Sequence, residues 1–156
     1  MILRNKLPLA LSVLMVACSA AATSPEEARD FLVAVPEWTI SEVYVNDALS
    51  FKDGKEVANF GGVSFNRYMA SVQFRPDGAF VGKYSDREAA TILHWEVDQA
   101  QKAIIVTAAD SSQAERSGWV IAPRSVEPES FEMTTETAAF DYPRVTRILL
   151  KFKKKE

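Results

Sequence analysis

Thiols and imidazoles are almost missing from this chain: its 156 residues include one cysteine, Cys18, and one histidine, His94. One thiol cannot form a disulfide within the chain, and Cys18 stands in the leading segment. A folded core therefore has no thiolate metal site and no cysteine nucleophile. A lone histidine also excludes the paired imidazoles at fixed spacing that zinc hydrolases use. No serine or cysteine nucleophile motif replaces them. Basic excess is lacking as well, with 18 Lys and Arg against 21 Asp and Glu and a net charge of −3. That balance argues against nucleic acid as a partner, because phosphate contacts need a basic face. The stretch Gly78-Ala79-Phe80-Val81-Gly82-Lys83-Tyr84 is not a phosphate loop. It is one residue short between its glycines, lacks Ser or Thr after the lysine, and falls in a hairpin instead of opening a helix. Carboxylates are plentiful at Glu127, Glu129, Glu132, Glu136 and Asp141, yet a glycosidase needs two of them fixed across one sugar. Spread along a loop and a strand, they read as a solvated face. The expectation is a protein that is not an enzyme, with no catalytic residue, no metal and no cofactor.

What is present begins at the N-terminus. Met1 to Lys6 carries two basic residues, Arg4 and Lys6, and Leu7 to Ala17 is an apolar run. The run is too short to cross a bilayer as a helix, which takes about 20 residues, and has the form of an export signal. Leu14-Met15-Val16-Ala17-Cys18 resembles the lipobox of bacterial lipoproteins, with Met15 where that family usually has Leu. The resemblance implies cleavage after residue 17, diacylation of Cys18 and a lipid anchor. Cleavage after Ala20, Ala21 or Ala22 would instead discard Cys18. Loss of residues 1–17 removes Arg4 and Lys6, so the mature chain has 16 basic and 21 acidic residues and a charge of −5. Ser19 behind the cysteine, where Asp would mark retention, resembles outer-membrane sorting. The expected location is the bacterial envelope, on the outer membrane facing the periplasm, with residues 18–23 as a flexible tether.

Residues 24–156 read as one domain. Ser24-Pro25-Glu26-Glu27 combines an N-cap serine, proline at the first helical position and glutamate three residues after the cap. Ala28, Phe31, Leu32 and Val35 then supply an apolar stripe, and Pro36 ends the helix. Beyond it the period becomes two. Tyr68, Ala70, Val72 and Phe74 alternate with polar neighbours, as do Leu93, Trp95 and Val97, the mark of strands with one buried face. Arg75-Pro76-Asp77-Gly78 is a hairpin turn with a mechanism, since proline presets one dihedral and glycine accepts the left-handed conformation. Strands are expected at 37–45, 67–75, 79–84, 93–98, 102–107, 118–122, 130–135 and 144–153, with Glu56–Phe60 as a ninth candidate. So many short antiparallel strands must hide their edges in a barrel or a sandwich.

The helix, the first strand opening on Trp38, the element Phe74-x-x-Asp77-Gly78-x-Phe80, the strand with Trp95 and the closing Ile148-Leu149-Leu150 resemble the lipocalin-like small lipoproteins of bacterial envelopes. Pro36-Glu37-Trp38 stands where true lipocalins have Gly-x-Trp, so lipocalin ligand chemistry is not carried over. The resemblance implies an all-β fold: a single eight-stranded antiparallel up-and-down, lipocalin-like barrel with one short N-terminal helix.

Aromatic residues on the alternating strands either fill such a barrel or line a cavity in it, and both arrangements place them inward. Trp38, Tyr68, Phe74 and Trp95 are the candidate ligand-binding residues, for a small hydrophobic molecule held by apolar burial. The alternative is a solid barrel acting as a protein-interaction module, a hydrolase inhibitor or an assembly subunit, contacting an envelope partner through Glu127–Glu132 or the Gly61-Gly62 loop. His94 falls opposite Leu93, Trp95 and Val97 and reads as a surface or lumen residue. The tail Lys151-Phe152-Lys153-Lys154-Lys155 reads as the charged end of an edge strand. Replacing Cys18 with Ala is expected to release the protein from membranes; unchanged membrane association would overturn the lipid anchor.

Overall fold

The computed structural model describes residues 20–57, 68–85, 88–108, 118–141 and 144–156. Cys18, the Gly61-Gly62 loop and most of the ninth candidate strand lie outside them. Helix α1 (Pro25–Ala34) comes first, followed by β1 (Trp38–Val45), β2 (Ala48–Lys52), β3 (Lys55–Glu56), β4 (Ser71–Phe74), β5 (Ala79–Lys83), β6 (Thr91–Asp98), β7 (Ala103–Ala108), β8 (Trp119–Ile121), β9 (Val126–Glu127), β10 (Ser130–Asp141) and β11 (Arg144–Lys154). Eight of these strands, β1, β4 to β8, β10 and β11, form an antiparallel meander whose last member returns to the first. It is a closed up-and-down barrel with β2, β3 and β9 outside the ring. All eight ring strands fall on segments where the two-residue period predicts them.

Local chemistry explains the turns. Gly78 has φ +85° and follows Pro76-Asp77, and Asp77 Oδ1 accepts from the amide of Ala79 at 3.0 Å. This is a three-residue hairpin loop closed by a left-handed glycine. Asp98 Oδ1 accepts from the amides of Ala100 and Gln101 at 2.8 and 3.0 Å and so shapes the β6–β7 turn. Three strands are not evident from the period, β2, β3 and the two-residue β9. The first two form a hairpin. They follow from turn residues, because Asn46-Asp47 and Asp53-Gly54 all take positive φ, the preference of two-residue hairpin loops.

The helix is capped at its start. Ser24 Oγ accepts from the amide of Glu27 at 3.2 Å. The Glu27 carboxylate reaches back to the amide and hydroxyl of Thr23 at 2.7 and 2.8 Å. The reciprocal bond of a capping box thus lands one residue earlier than its usual target. Ala28 and Leu32 are fully buried, and α1 lies across the barrel end formed by parts of β4, β6, β7 and β9. Ala22, expected in the tether, is buried and donates its amide to Val126 O at 2.8 Å. From Ala22 onward the chain is part of the fold.

Strand β1 is bent by a bulge between Ile40 and Glu42. Trp38 and Ile40 point inward before it, Val43 and Val45 after it. One extra residue restores the inward face while increasing local twist. Strand β4 is shorter than the 67–75 expected: it starts at Ser71, and at its entrance Met69 is buried where alternation puts Ala70. The C-terminal lysines do not end a sheet. Strand β11 pairs with β1 on one side and β10 on the other, and Lys151, Lys153, Lys154 and Lys155 each meet a carboxylate, of Glu132, Asp53, Glu129 and Glu37 respectively.

Several carboxylates sit below their ordinary range. The Thr23 amide lowers Glu27, the Lys155 ammonium lowers Glu37, the Tyr44 hydroxyl lowers Glu42 and the Gln101 amide lowers Asp98. A folded pKa below the unfolded one adds stability that is present above the unfolded value, about 4.3 for Glu and 3.9 for Asp. That stability is lost as pH falls through the lowered folded values. Thermal midpoints measured from pH 7 down to about pH 2 are expected to drop through this window. In Glu27→Gln the midpoint should start lower at pH 7 and fall less.

Candidate functional site

The two halves of the barrel interior are built differently. At the helix end, large rings meet across the axis. Phe131 contacts Trp38 edge-on with centroids 5.1 Å apart, Phe74 at 5.4 Å, and stacks on Phe152 at 4.8 Å. Phe74 also packs against Phe80 at 5.1 Å and Trp95 at 5.8 Å. Each such pair adds about 0.5–1.5 kcal/mol beyond its burial. The polar atoms of the two indoles are satisfied without disturbing this cluster. Trp38 Nε1 donates to Leu32 O at 3.1 Å and ties α1 to β1. Trp95 Nε1 donates to Arg75 O at 2.9 Å and ties β6 to the β4–β5 turn. This half is solid.

At the other end this interlocked cluster of rings stops. A chamber of about 110 Å³ opens there among Val43, Tyr68, Met69, Trp119, Met133 and Leu150, with Tyr84 and Ile148 at its margin. Its lining is mainly apolar. The Tyr68 hydroxyl is pushed above its ordinary range by burial, with the Glu56 carboxylate adding to the effect, so it remains a protonated donor at neutral pH. The chamber is floored by Met69, whose thioether occupies the space that a side chain at Gly82 would need. Gly82 faces inward opposite Val72, and its missing Cβ lets the methionine lie flat against β5.

Of the four residues singled out by sequence, Tyr68 lines this chamber. Trp38, Phe74 and Trp95 lie in the packed half, in contact with Phe131 or with each other. The structure therefore does not bring the four together. Strand period identifies Met133, Ile148 and Leu150 as inward, since they alternate with polar or outward neighbours, but it does not say at what height in the tube they lie. Val43 is hidden from alternation by the bulge at Ser41. His94 is on the outer surface, packed over Gly78 and 3.9 Å from Glu96. Among the described residues no three His, Cys, Asp or Glu side chains gather as a metal site would need, and no helix is long and apolar enough to cross a membrane.

No known protein family, curated protein or solved structure matches this chain. The chamber is therefore read from its own geometry. At about 110 Å³ it is somewhat smaller than an apolar cavity of about 150 Å³ that stays dry and takes up benzene. It suits one ring or the end of one chain. Gly82→Ala is expected to drive Met69 into the chamber and lower stability by about 1–3 kcal/mol, which the midpoint of urea unfolding would record.

Proposed function

We propose that this chain is a lipid-anchored protein of a bacterial envelope that binds a small hydrophobic molecule in its barrel and catalyses no reaction. The observation that carries the reading is the apolar chamber at one end of an otherwise packed tube. A filled half makes a rigid floor, and a hollow half stops short of close packing in a fold otherwise dense with large side chains. Voids of this kind cost dispersion contacts, so a protein that keeps one forgoes stability that an occupant can return. Burial of an apolar guest contributes roughly 25 cal/mol per Å² removed from water, with Tyr68 as the polar group nearest to orient it.

The anchor reading adds a direction. Ala22 is fixed at the helix end, four residues from Cys18, and extended chain reaches at most about 3.6 Å per residue. A diacylated Cys18 on the outer membrane would hold the solid end close to the bilayer and turn the chamber end toward the periplasm. The interaction-module reading has less to stand on: Glu129 and Glu132 of the acidic loop are already paired with Lys154 and Lys151.

Native mass spectrometry of the protein purified gently from its envelope tests the proposal. A retained small apolar ligand that leaves on denaturation is the expected result. A bare mass accompanied by a stoichiometric protein partner would favour the interaction module.

A further inference from the structure

Among the described residues the pairing between β1 and β4 is short beside the chamber, and the space it leaves has chemistry of its own. Strand β1 pairs with β4 only at Trp38↔Val72 and Thr39↔Ser71, followed by one bond from the Ile40 amide to Ala70 O at 2.9 Å. From Glu42 onward the same edge of β1 is taken by β2, and the Asp53 amide bonds Ser41 O at 2.8 Å. The bulge at Ser41 is where β1 changes neighbour. Strands β1 and β4 separate there, and the β2–β3 hairpin covers the space between them.

A groove of about 470 Å³ lies in this split. Thr39, Asp53 and Lys153 form its outer rim, and Ile40, Phe51 and Tyr68 lie further in. Tyr68 and Tyr84 line both this groove and the inner chamber, so the two spaces lie against the same two rings. Phe51 packs on Tyr68 with centroids 4.6 Å apart. The groove side thus offers a charged pair and aromatic rings, and the chamber side apolar side chains.

Among the described residues lining the groove, Lys153 is the one cation. Its ammonium meets Asp53 Oδ1 at 3.3 Å, with more than half of each side chain exposed. An exposed pair of this kind is weak, and an ammonium has three donors to offer. A second carboxylate can therefore compete with Asp53 for it.

We infer that the barrel is loaded through its side, between β1 and β4, by a single-chain anionic amphiphile whose head sits at Lys153 and whose apolar end passes Tyr68 into the chamber beside Trp119. This rests on the hydrophobic-ligand reading above and names the ligand class: one unbranched chain carrying a carboxylate. The inner chamber takes the chain end and the outer groove takes the rest.

The test uses the full-length protein and two probes, dodecanoate brominated at its last carbon and the uncharged dodecanol brominated likewise. Bromine quenches indole on contact. Trp119 lines the chamber, whereas Trp38 and Trp95 belong to the packed half. The carboxylate is expected to quench, and Trp119→Phe to abolish the response. Asp53→Asn, which frees Lys153 at a left-handed position that asparagine accepts, should tighten carboxylate binding. Lys153→Gln should weaken it, each by up to about fivefold, with dodecanol unmoved by both. These opposite shifts would not arise from a merely structural pair. Equal binding of both probes, indifferent to Asp53→Asn and Lys153→Gln, would overturn the inference and leave the hydrophobic-ligand reading standing. Absence of quenching by either probe would overturn both.

Discussion

Strands β1 and β11 come from opposite ends of the described chain and pair along seven positions, from Trp38↔Lys154 to Val45↔Ile148. Without that pairing the meander would be an open sheet with two exposed edges, each a template for aggregation. With it, the inward residues of all eight strands face one another and the core becomes possible. The contact is as non-local as this chain allows, so its loop-closure cost falls before its reward, and slow folding relative to helical proteins is the consequence. The surrounding chemistry reinforces the seam. Ser41 Oγ donates to Lys151 O at 3.0 Å, the Lys155 amide bonds Glu37 O at 3.1 Å, and Lys155 Nζ meets Glu37 Oε2 at 2.7 Å.

Closure fixes how much volume must be filled, and the chain fills it unevenly. Rings occupy the helix end because only large, flat side chains span an eight-stranded tube from several walls at once. Phe131 touches Trp38, Phe74 and Phe152. Helix α1 then seals that end with Ala28 and Leu32, and the bond from Trp38 Nε1 to Leu32 O fixes its exit. The opposite end is lined by side chains that adapt, Met69 and Met133 among them, whose thioethers adjust to irregular space. Its ring residues, Tyr68, Tyr84 and Trp119, are only partly buried. One end is therefore rigid and the other has room to adjust. The same closure leaves its weakest seam between β1 and β4, beside the adaptable half.

Charge follows a similar division. The chain, acidic overall with a net charge of −3, carries a basic C-terminal run, and the fold spends that run on its own carboxylates, Glu132, Asp53, Glu129 and Glu37. Lys151 is drawn above its ordinary range by Glu132 and also lies over the Tyr44 ring at 5.4 Å. These exposed pairs contribute little individually, about 0.2–1 kcal/mol. Their larger effect is to balance the charge of the exposed cationic tail against that of the acidic loop after β9.

The two-residue period, the N-cap serine with its following proline, and the Pro76-Asp77-Gly78 turn mark by themselves one short helix, eight strands with a ninth candidate, and an inward set that includes Trp38, Val72, Phe74, Phe80 and Trp95; they leave open whether the strands close as a barrel or pack as a sandwich. Those signals are local: each depends on residues within a few positions of one another. The β2–β3 hairpin does not show in the period, because Ala48–Lys52 does not alternate cleanly and the Ser50 and Phe51 side chains are both buried; the structure reveals it, with positive φ at Asn46-Asp47 and Asp53-Gly54. Height along the barrel axis is not a local property. It is set by register and shear, so Tyr68 and Trp95 look equivalent on their strands yet lie in different halves. Whether an inward ring meets another ring or an empty space depends on what seven other strands deliver at the same level. Only the closed tertiary structure decides that, because packing is a property of the shared volume and not of any one segment.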